Sequence, residues 1–347
     1  MQMENFDKKD IARLRDILDE AVNIVITMHM SPDGDALGSS LGLSQVLNTL
    51  GKNVTVVSPD VPTHQLKFLP DFDGIAIYCK DTDFCEGMIA NADLIFCLDY
   101  NALNRIDRVA NAVRNAKAHK VMIDHHLHPD DFCDITISRP HLSSTCMLVY
   151  EVICALELYD AINREAAECL LAGMMTDTGN FSYNANDPDI YAIVSELVTL
   201  GANHDRLAKL IFDTFSADCL RLNAYAVLEK MKVWPDLGAA LITLTRDELN
   251  RYNYKPGYTE GLVNKPLAIE SVRYTAFLRE EADYIKVSMR SKGDFPVNVI
   301  CSEHFGGGGH TNAAGGEFDG TMQQAIDLFE SLLQTNHDKY ILHDKKK

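Results

Sequence analysis

The sequence predicts an α/β protein: an N-terminal parallel-sheet domain with flanking helices, a helical linker and a smaller α/β C-terminal domain. Its 347 residues exceed one typical domain of about 150 residues, and 46% are hydrophobic, enough for two cores. Strand-like and helix-like patterns alternate in the first half, and a second group of strand candidates follows Gly238. We predict domains over residues 1–190 and 236–340, with the linker over 191–235.

The first domain begins with a strand, a loop, a helix and a second strand. NIVITMH is apolar and β-branched, SPDGDA is typical of a turn, LGSSLGLSQVLNTL is a helix that ends before Gly51, and NVTVV is a strand. The strand candidates ADLIFCLD and KVMID flank the helical stretch NRIDRVANAVRNA. This alternation predicts a parallel sheet with helices on its faces.

Helical patterns dominate from Ser144 to about Lys232, and strand patterns return after them. The later strand candidates are GAALITLT, ESVRYTAFLRE and ADYIKVSMR; the glycine-rich FGGGGHTNAAGG and the helix MQQAIDLFESLLQT complete the chain.

Charge and composition exclude several classes of protein. The net charge of −18 disfavours binding to a long nucleic-acid duplex, although bound cations would still allow a small anionic ligand. Nine cysteines without a C-x-x-C pair are typical of a reducing compartment. The charged start MQMENFDKKD and the lack of a run of about 18 apolar residues predict a cytoplasmic protein that does not bind membranes.

Metal-ligand residues follow three of the predicted strands. His29, Asp33 and Asp35 follow the first strand, Asp99 follows ADLIFCL, and Asp124, His125 and His126 follow KVMI. Asp177 lies in a fourth segment, GMMTDTGNF. Because the carboxyl ends of parallel strands meet at one edge of a sheet, we expect these side chains to converge there.

The converging residues predict a site for two divalent ions. The candidate ligands are His29, Asp33, Asp35, Asp99, His125 and Asp177. Their four negative charges would balance two cations, and carboxylates with imidazoles suit Mn²⁺ or Mg²⁺. Asp99, alone at its strand end, is the natural bridge between the ions. A single Asp after a strand usually caps a helix, but four such coincidences favour a metal centre that activates water for phosphoryl transfer.

The C-terminal glycine run is a second candidate site. The backbone of Gly307, Gly308 and Gly309 can approach a phosphate closely, and His310 can donate to its oxygens. Arg290, at the end of a predicted strand, suits a bidentate phosphate contact. A flexible turn without a ligand remains the alternative for the glycines.

These motifs resemble those of the DHH phosphoesterases, a family named after the Asp-His-His motif that Asp124, His125 and His126 match here. The resemblance includes HMSPDGDALGSS, the strand ending in Asp99, IDHH, GMMTDTGNF and, in a DHH-associated C-terminal domain, GGGGHTNAAGG; it extends from about residue 20 to 335. It implies that His29 and Asp33 hold one metal and that Asp35, His125 and Asp177 hold the other, with Asp99 bridging. It also implies that His126 contacts the scissile phosphate. The substrate residues would be Arg290, Gly307, Gly308, Gly309 and His310.

The compact two-domain length is most similar to the nanoRNase and pAp phosphatase branch of that family. The resemblance implies two divalent ions, Mn²⁺ before Mg²⁺, and hydrolysis of single-stranded RNA of about two to five nucleotides to nucleoside monophosphates. It also implies conversion of 3′-phosphoadenosine 5′-phosphate (pAp) to AMP. His126, Asp99 and Arg290 would be the catalytic residues. A homodimer is expected from the frequency of dimers among oligomers.

Three alternatives stay open at this point. They are a phosphodiesterase for linear pApA or cyclic dinucleotides, an inorganic pyrophosphatase or exopolyphosphatase, and a nucleotide sensor without turnover. Two residues differ from the usual family pattern: Tyr100 follows Asp99, where a small residue is more usual, and Met147 lies where an acidic residue often follows the S-S-T turn. A change at either position can reshape a base pocket without altering the metal ligands.

Overall fold

The computed structural model describes residues 6–341 of the chain. These residues form two compact units with a boundary between Thr214 and Phe215, inside the stretch that we interpret as a linker. Within the described range, no helix combines the length and the apolar composition needed to cross a membrane.

The first unit contains a six-stranded sheet in which every neighbouring pair is parallel, with the order β3-β2-β1-β4-β5-β6. This confirms the predicted parallel sheet. The strands are β1 (Asn23–Thr27), β2 (Asn53–Ser58), β3 (Ala76–Ile77), β4 (Leu94–Leu98), β5 (His119–Asp124) and β6 (Ile135–Ser138). The helices are α1 (Lys8–Glu20), α2 (Gly34–Thr49), α3 (Thr82–Ala90), α4 (Val109–Asn115), α5 (Thr145–Ala155), α6 (Arg164–Asp177), α7 (Pro188–Thr199) and α8 (His204–Phe212).

Alternating side chains of the strands bury both faces of this sheet. Ile24 and Ile26 of β1 belong to a core that includes buried residues of α1, α2, α5 and α6. Val25, between them, belongs to a second core with residues of α3 and α4. Each fully buried aliphatic side chain contributes about 1.5–3 kcal/mol, so the helices fix the sheet from both sides.

Three glycines spaced four residues apart let α2 lie directly against α6. A Cβ atom on Gly38 would lie 2.5 Å from the carbonyl oxygen of Cys169, so any side chain there would push the helices apart. Gly34 meets Thr176 near the end of α6, whereas Gly42 meets Leu170 further back. The helices therefore run antiparallel, and the first turn of α2 lies beside the last turn of α6. This arrangement brings the segments that carry Asp35 and Asp177 together.

The second unit contains a six-stranded mixed sheet with the order β11-β12-β10-β9-β8-β7. The strands are β7 (Lys232–Trp234), β8 (Ala239–Leu244), β9 (Tyr274–Glu280), β10 (Ile285–Ser291), β11 (Gly308–His310) and β12 (Ala313–Phe318). The helices are α9 (Ala217–Tyr225), α10 (Arg246–Arg251), α11 (Val297–His304) and α12 (Met322–Asn336). Strands β8 and β9 are parallel, and the other neighbours are antiparallel.

The glycine-rich segment forms a β-hairpin of this sheet, β11 paired with β12, where the sequence pattern indicated a phosphate-binding loop or a flexible turn. Gly307 lies so close to Gly315 that a Cβ atom would overlap its backbone, which explains the need for glycine at that position.

Candidate metal centre

Three neighbouring strands deliver the predicted ligands to one edge of the parallel sheet. His29 follows β1, Asp99 directly follows β4, and His125 directly follows β5. Strand order reverses between β1 and β4, and ligands of open α/β sheets bind at such a switch point. The topology thus accounts for the convergence that the sequence predicted.

Asp99 lies at the centre of the group, and its two carboxylate oxygens face different histidines. Oδ2 lies 3.3 Å from Nε2 of His29, whereas Oδ1 lies 3.6 Å from Nε2 of His125. The residue is 2% exposed and has a left-handed backbone with φ of 61°, which is uncommon for a residue other than glycine. Thr145 fixes the carboxylate by donating a hydrogen bond from Oγ1 to Oδ1 over 2.8 Å.

The six predicted metal ligands form two groups around Asp99, here called the ligand cluster. Ligand atoms of His29, Asp33 and Asp99 lie within 4.8 Å of one another, and so do those of Asp35, His125 and Asp177. Within the second group, Nε2 of His125 lies 3.8 Å from Asp35 and 3.5 Å from Asp177. The structure therefore brings together all six residues, in the grouping that the resemblance implied.

Backbone carbonyl groups orient both histidines of the ligand cluster. Nδ1 of His29 donates to the carbonyl of Met30 over 2.8 Å, and Nδ1 of His125 donates to that of Leu142 over 3.2 Å. With Nδ1 occupied, Nε2 is the ring atom that points toward the carboxylates. Such outer contacts are the usual way in which proteins fix the tautomer of a metal-binding histidine.

Helix ends hold two of the carboxylates. Asp35 accepts hydrogen bonds from the backbone N–H groups of Thr145 and Cys146, over 2.6 and 2.8 Å, at the positive end of α5. Asp33 caps α2 by accepting from the N–H groups of Asp35 and Ala36. The helix-cap interpretation of an Asp after a strand is thus correct for Asp33, in addition to its place in the ligand cluster.

Crowding of carboxylates shifts the ionisation of the cluster. Burial and the charge of Asp99 raise the pKa of Asp35 to about 7, and burial with the charge of Asp35 raises the pKa of Asp177. Burial disfavours the charged form of His29, but hydrogen bonds with Asp33 and Asp99 outweigh burial and raise its pKa to about 10. Retained protons therefore offset the negative charge when cations are absent. Divalent cations fit the same positions, since the donors are carboxylate oxygens and imidazole nitrogens.

The sequence interpretation named Asp124 without giving it a role and missed Thr145, and both residues hold others in place. Asp124 is fully buried and accepts hydrogen bonds from Nδ1 and from the backbone N–H of His126. Thr145 donates a hydrogen bond from its hydroxyl group to the carboxylate of Asp99. The D-H-H sequence itself signals the role of Asp124, because a carboxylate two residues before a histidine can reach its ring. The contact of Thr145 crosses 46 residues of sequence and has no local signal.

The candidate substrate residues of the second unit lie on or next to two strands, β10 and β11, on either side of β12. Arg290 of β10 and His310 of β11 both pair with Ala313 of β12, from opposite sides. Two strand spacings of about 4.8 Å separate their backbones, so both side chains belong to one small region of that sheet. Gly308 and Gly309 are neighbours of His310 in β11, and Gly307 directly precedes the strand.

Tyr100 and Met147, the two residues that differ from the family pattern, are both buried. Tyr100 is fully buried and shares a hydrogen bond of 2.7 Å with Thr27, and its ring stacks on Phe132. Met147 is buried in the core on the other face of the sheet. Both residues therefore pack in the hydrophobic cores on the two faces of the parallel sheet.

Known proteins resemble this chain over most of its length. Residues 23–174 match the DHH family, N-terminal domain, and residues 240–335 match the DHHA1 domain. The probable bifunctional oligoribonuclease and PAP phosphatase NrnA of Streptococcus mutans is 30% identical over 89% of this chain and 93% of its own length. The bifunctional oligoribonuclease and PAP phosphatase NrnA of Thermus thermophilus is also 30% identical, over 88% of this chain and 87% of its own.

A solved structure extends the similarity to the whole fold. The exopolyphosphatase-related protein from Bacteroides fragilis is 44% identical and superposes with a TM-score of 0.92, covering 96% of this chain and 97% of its own. RecJ from Thermus thermophilus, at 12% identity and a TM-score of 0.59, shares the fold. With its motifs, its ligand cluster and both domain matches in agreement, the chain belongs to the DHH phosphoesterase family.

Proposed function

We propose that this protein is a metal-dependent phosphoesterase that hydrolyses very short oligoribonucleotides to nucleoside monophosphates and converts pAp to AMP. The observation that carries the proposal is the position of Asp99, whose two oxygens face two separate groups of ligands. Relatives named for both activities match nearly the whole chain, which supports the choice of substrates.

Two divalent cations are the cofactors in this proposal. His29 and Asp33 would hold one cation, and Asp35, His125 and Asp177 would hold the other. Asp99 would bind both cations. When bound, such a pair activates a water molecule for attack on phosphorus and neutralises charge on the phosphoryl oxygens. Mn²⁺ is the proposed ion and Mg²⁺ the alternative, because mixed carboxylate and imidazole ligands suit both.

The protein's own residues bind and orient the phosphate. His126 is held at Nδ1 by the buried Asp124, so Nε2 is the atom that we assign to the contact with the scissile phosphate. Arg290 and His310, which flank Ala313, are assigned to other phosphate oxygens, together with the backbone of Gly307, Gly308 and Gly309. In this proposal, His126, Asp99 and Arg290 stabilise the charge that develops during the reaction.

Net charge favours small substrates. A charge of −18 repels a long polyanion, whereas a substrate of about two to five nucleotides has few phosphates, which cations and a few donors can bind. The described cysteines are free thiols, which supports a reducing compartment such as the cytoplasm. The homodimer remains a prediction.

A second candidate function is hydrolysis of inorganic polyphosphate. The 44% identical relative is described as exopolyphosphatase-related, and a cluster of metal ligands alone does not distinguish a phosphodiester from a phosphoanhydride. The discrimination between these substrates must come from residues outside the ligand cluster.

A panel of substrates tests the proposal. Purified protein with Mn²⁺ is incubated separately with pAp, pApA, a short RNA, a long RNA, pyrophosphate and polyphosphate, and the products are separated by ion-exchange chromatography. We expect rapid release of monophosphates from pAp and the short RNA and slow cleavage of the long RNA. Turnover confined to pyrophosphate or polyphosphate would contradict the proposal and support the second candidate.

A further inference from the structure

An exposed aromatic ring lies in the loop that follows Asp177. Tyr183 is 53% exposed, within a stretch that connects α6 to α7. Single exposed aromatic residues are ordinary on protein surfaces, so exposure alone assigns no role. The backbone around Tyr183, however, holds this ring in a defined place.

Hydrogen bonds and a glycine fix the ring. The carbonyl of Thr178 accepts hydrogen bonds from the N–H groups of Ser182 and Tyr183, over 2.8 and 2.9 Å. Gly179 has a left-handed backbone, and a Cβ atom there would overlap the ring of Tyr183. One side of the ring therefore packs on the bare backbone of Gly179, while more than half of the residue stays accessible.

This ring packs on a residue that lies only two positions from Asp177 of the ligand cluster. Gly179 follows Asp177 by two residues, so their Cα atoms are at most about 7.6 Å apart, two steps of about 3.8 Å. The carboxylate of Asp177 lies 3.5 Å from Nε2 of His125. A molecule whose phosphate occupies the cluster would therefore have its neighbouring groups within reach of Tyr183.

Two more exposed apolar side chains belong to residues that directly follow histidines of the site. Met30 directly follows His29, and Leu127 directly follows His126. Inorganic phosphate chains gain nothing from apolar surface, whereas a nucleobase gains from stacking on an aromatic ring and from contact with apolar groups. The surroundings of the cluster thus suit a ligand that is part anion and part planar base.

We propose that Tyr183 stacks on the nucleobase of the substrate and thereby selects nucleotides over inorganic phosphates. This inference rests on the proposed function and deepens it, since it names the residue that recognises the base. Stacking on a flat ring does not read hydrogen-bonding groups, so the selection concerns the presence of a base rather than its identity.

Binding measurements test the inference without requiring turnover. Isothermal titration calorimetry with Mn²⁺ compares AMP with ribose 5-phosphate, which lacks the base, on the wild type and on Tyr183→Ala, Tyr183→Phe and Phe84→Ala. Phe84 on α3 is a matched control, because it is 51% exposed and lies outside the proposed site. Thermal melting followed by circular dichroism checks the folding of each variant.

We expect the wild type to bind AMP about tenfold more tightly than ribose 5-phosphate, the size of one stacking contact. Tyr183→Ala should lose this difference, and Tyr183→Phe and Phe84→Ala should keep it. A Tyr183→Ala variant that prefers AMP to ribose 5-phosphate as strongly as the wild type would overturn the inference. A wild type that binds both ligands equally, or binds neither, would also overturn it. Because hydrolysis of pAp is measured separately, a failure here is distinguishable from a failure of the proposed function.

Discussion

Asp124 accepts two hydrogen bonds from His126, one from Nδ1 over 2.7 Å and one from the backbone N–H over 2.9 Å. Each carboxylate oxygen takes one of them, and the carboxylate is fully buried. The three residues of the D-H-H sequence thus have different roles. Asp124 orients His126, His125 belongs to the ligand cluster, and His126 is directed toward the phosphate of the proposed substrate.

Replacement of Asp124 by Asn keeps the size of the side chain and removes its charge. We expect kcat for pAp to fall about 10- to 100-fold, the usual cost of losing such a supporting contact, with little change in KM. Steady-state kinetics of Asp124→Asn, His126→Ala and the double variant measure the effect. If Asp124 acts through His126, the double variant is no slower than His126→Ala. Losses that multiply would show that Asp124 has a separate role.

Removal of Asp99 should be more damaging than removal of any residue that serves one cation. We expect Asp99→Ala to lose at least about a thousandfold in kcat, because a bridging carboxylate sets the geometry of both cations. Turnover of pAp and the bound metal, by mass spectrometry of the desalted protein, measure this. Asp131→Ala, an exposed acidic residue near the D-H-H segment, is the control and should keep full activity. An Asp99→Ala variant that retained most of its activity with Mn²⁺ would show that Asp99 does not bridge.

Stabilisation by metal should grow with pH. Without cations, the carboxylates raise the pKa of His29 to about 10 and that of His125 to about 9, above the ordinary value of 6.5, despite their burial. A raised histidine pKa stabilises the folded state fully below about pH 6.5, and this stability is lost as the pH rises toward 9 to 10. The raised pKa of Asp35, about 7, also stabilises the folded state at low pH, and this stability is lost as the pH rises from about 4 to 7. Bound cations replace these protons, and the stability that the cations contribute is not lost as the pH rises.

Melting temperatures with EDTA and with Mn²⁺, at about pH 6.5 and about pH 8.5, give the comparison. The increase in melting temperature from the EDTA sample to the Mn²⁺ sample should be larger at the higher pH. Groups remote from the cluster titrate equally in both states and cancel in that difference. An equal or smaller difference at the higher pH would be evidence against metal binding at these histidines.

Contact between α2 and α6 should tolerate no side chain at Gly38. A methyl group there meets the carbonyl of Cys169, and we expect Gly38→Ala to destabilise the protein by about 1–3 kcal/mol. Gly87 on α3 is the matched control, since nothing lies within 4 Å of an added Cβ; Gly87→Ala should stabilise by up to about 1 kcal/mol. Thermal unfolding by circular dichroism measures both, and equal effects at the two positions would refute the close packing.

The strand ends and the ligand cluster were predictable from sequence because both follow local rules. Apolar runs mark β1, β4 and β5, and the polar residues directly after them meet wherever the strands are parallel neighbours. Short edge strands such as β3, with two residues, have no comparable pattern. The glycine-rich segment forms a hairpin because of its pairing with β12, which is set by tertiary contacts.

Other features depend on contacts between distant segments. The N–H groups of Thr145 and Cys146 that hold Asp35 come from more than a hundred residues away. Tyr183 has no motif of its own, and its position is apparent only once its ring is seen against Gly179. Sequence patterns thus predict which residues form the cluster, whereas the structure identifies what holds and surrounds them.

The position of Asp99 between two cations is tested most directly by anomalous X-ray diffraction from crystals grown with Mn²⁺. We predict two manganese peaks, about 3.5–4 Å apart, each coordinated by one oxygen of Asp99, with His29 on one ion and His125 on the other. A single peak, or two peaks that Asp99 does not join, would contradict this arrangement and the two-metal phosphoesterase that we propose.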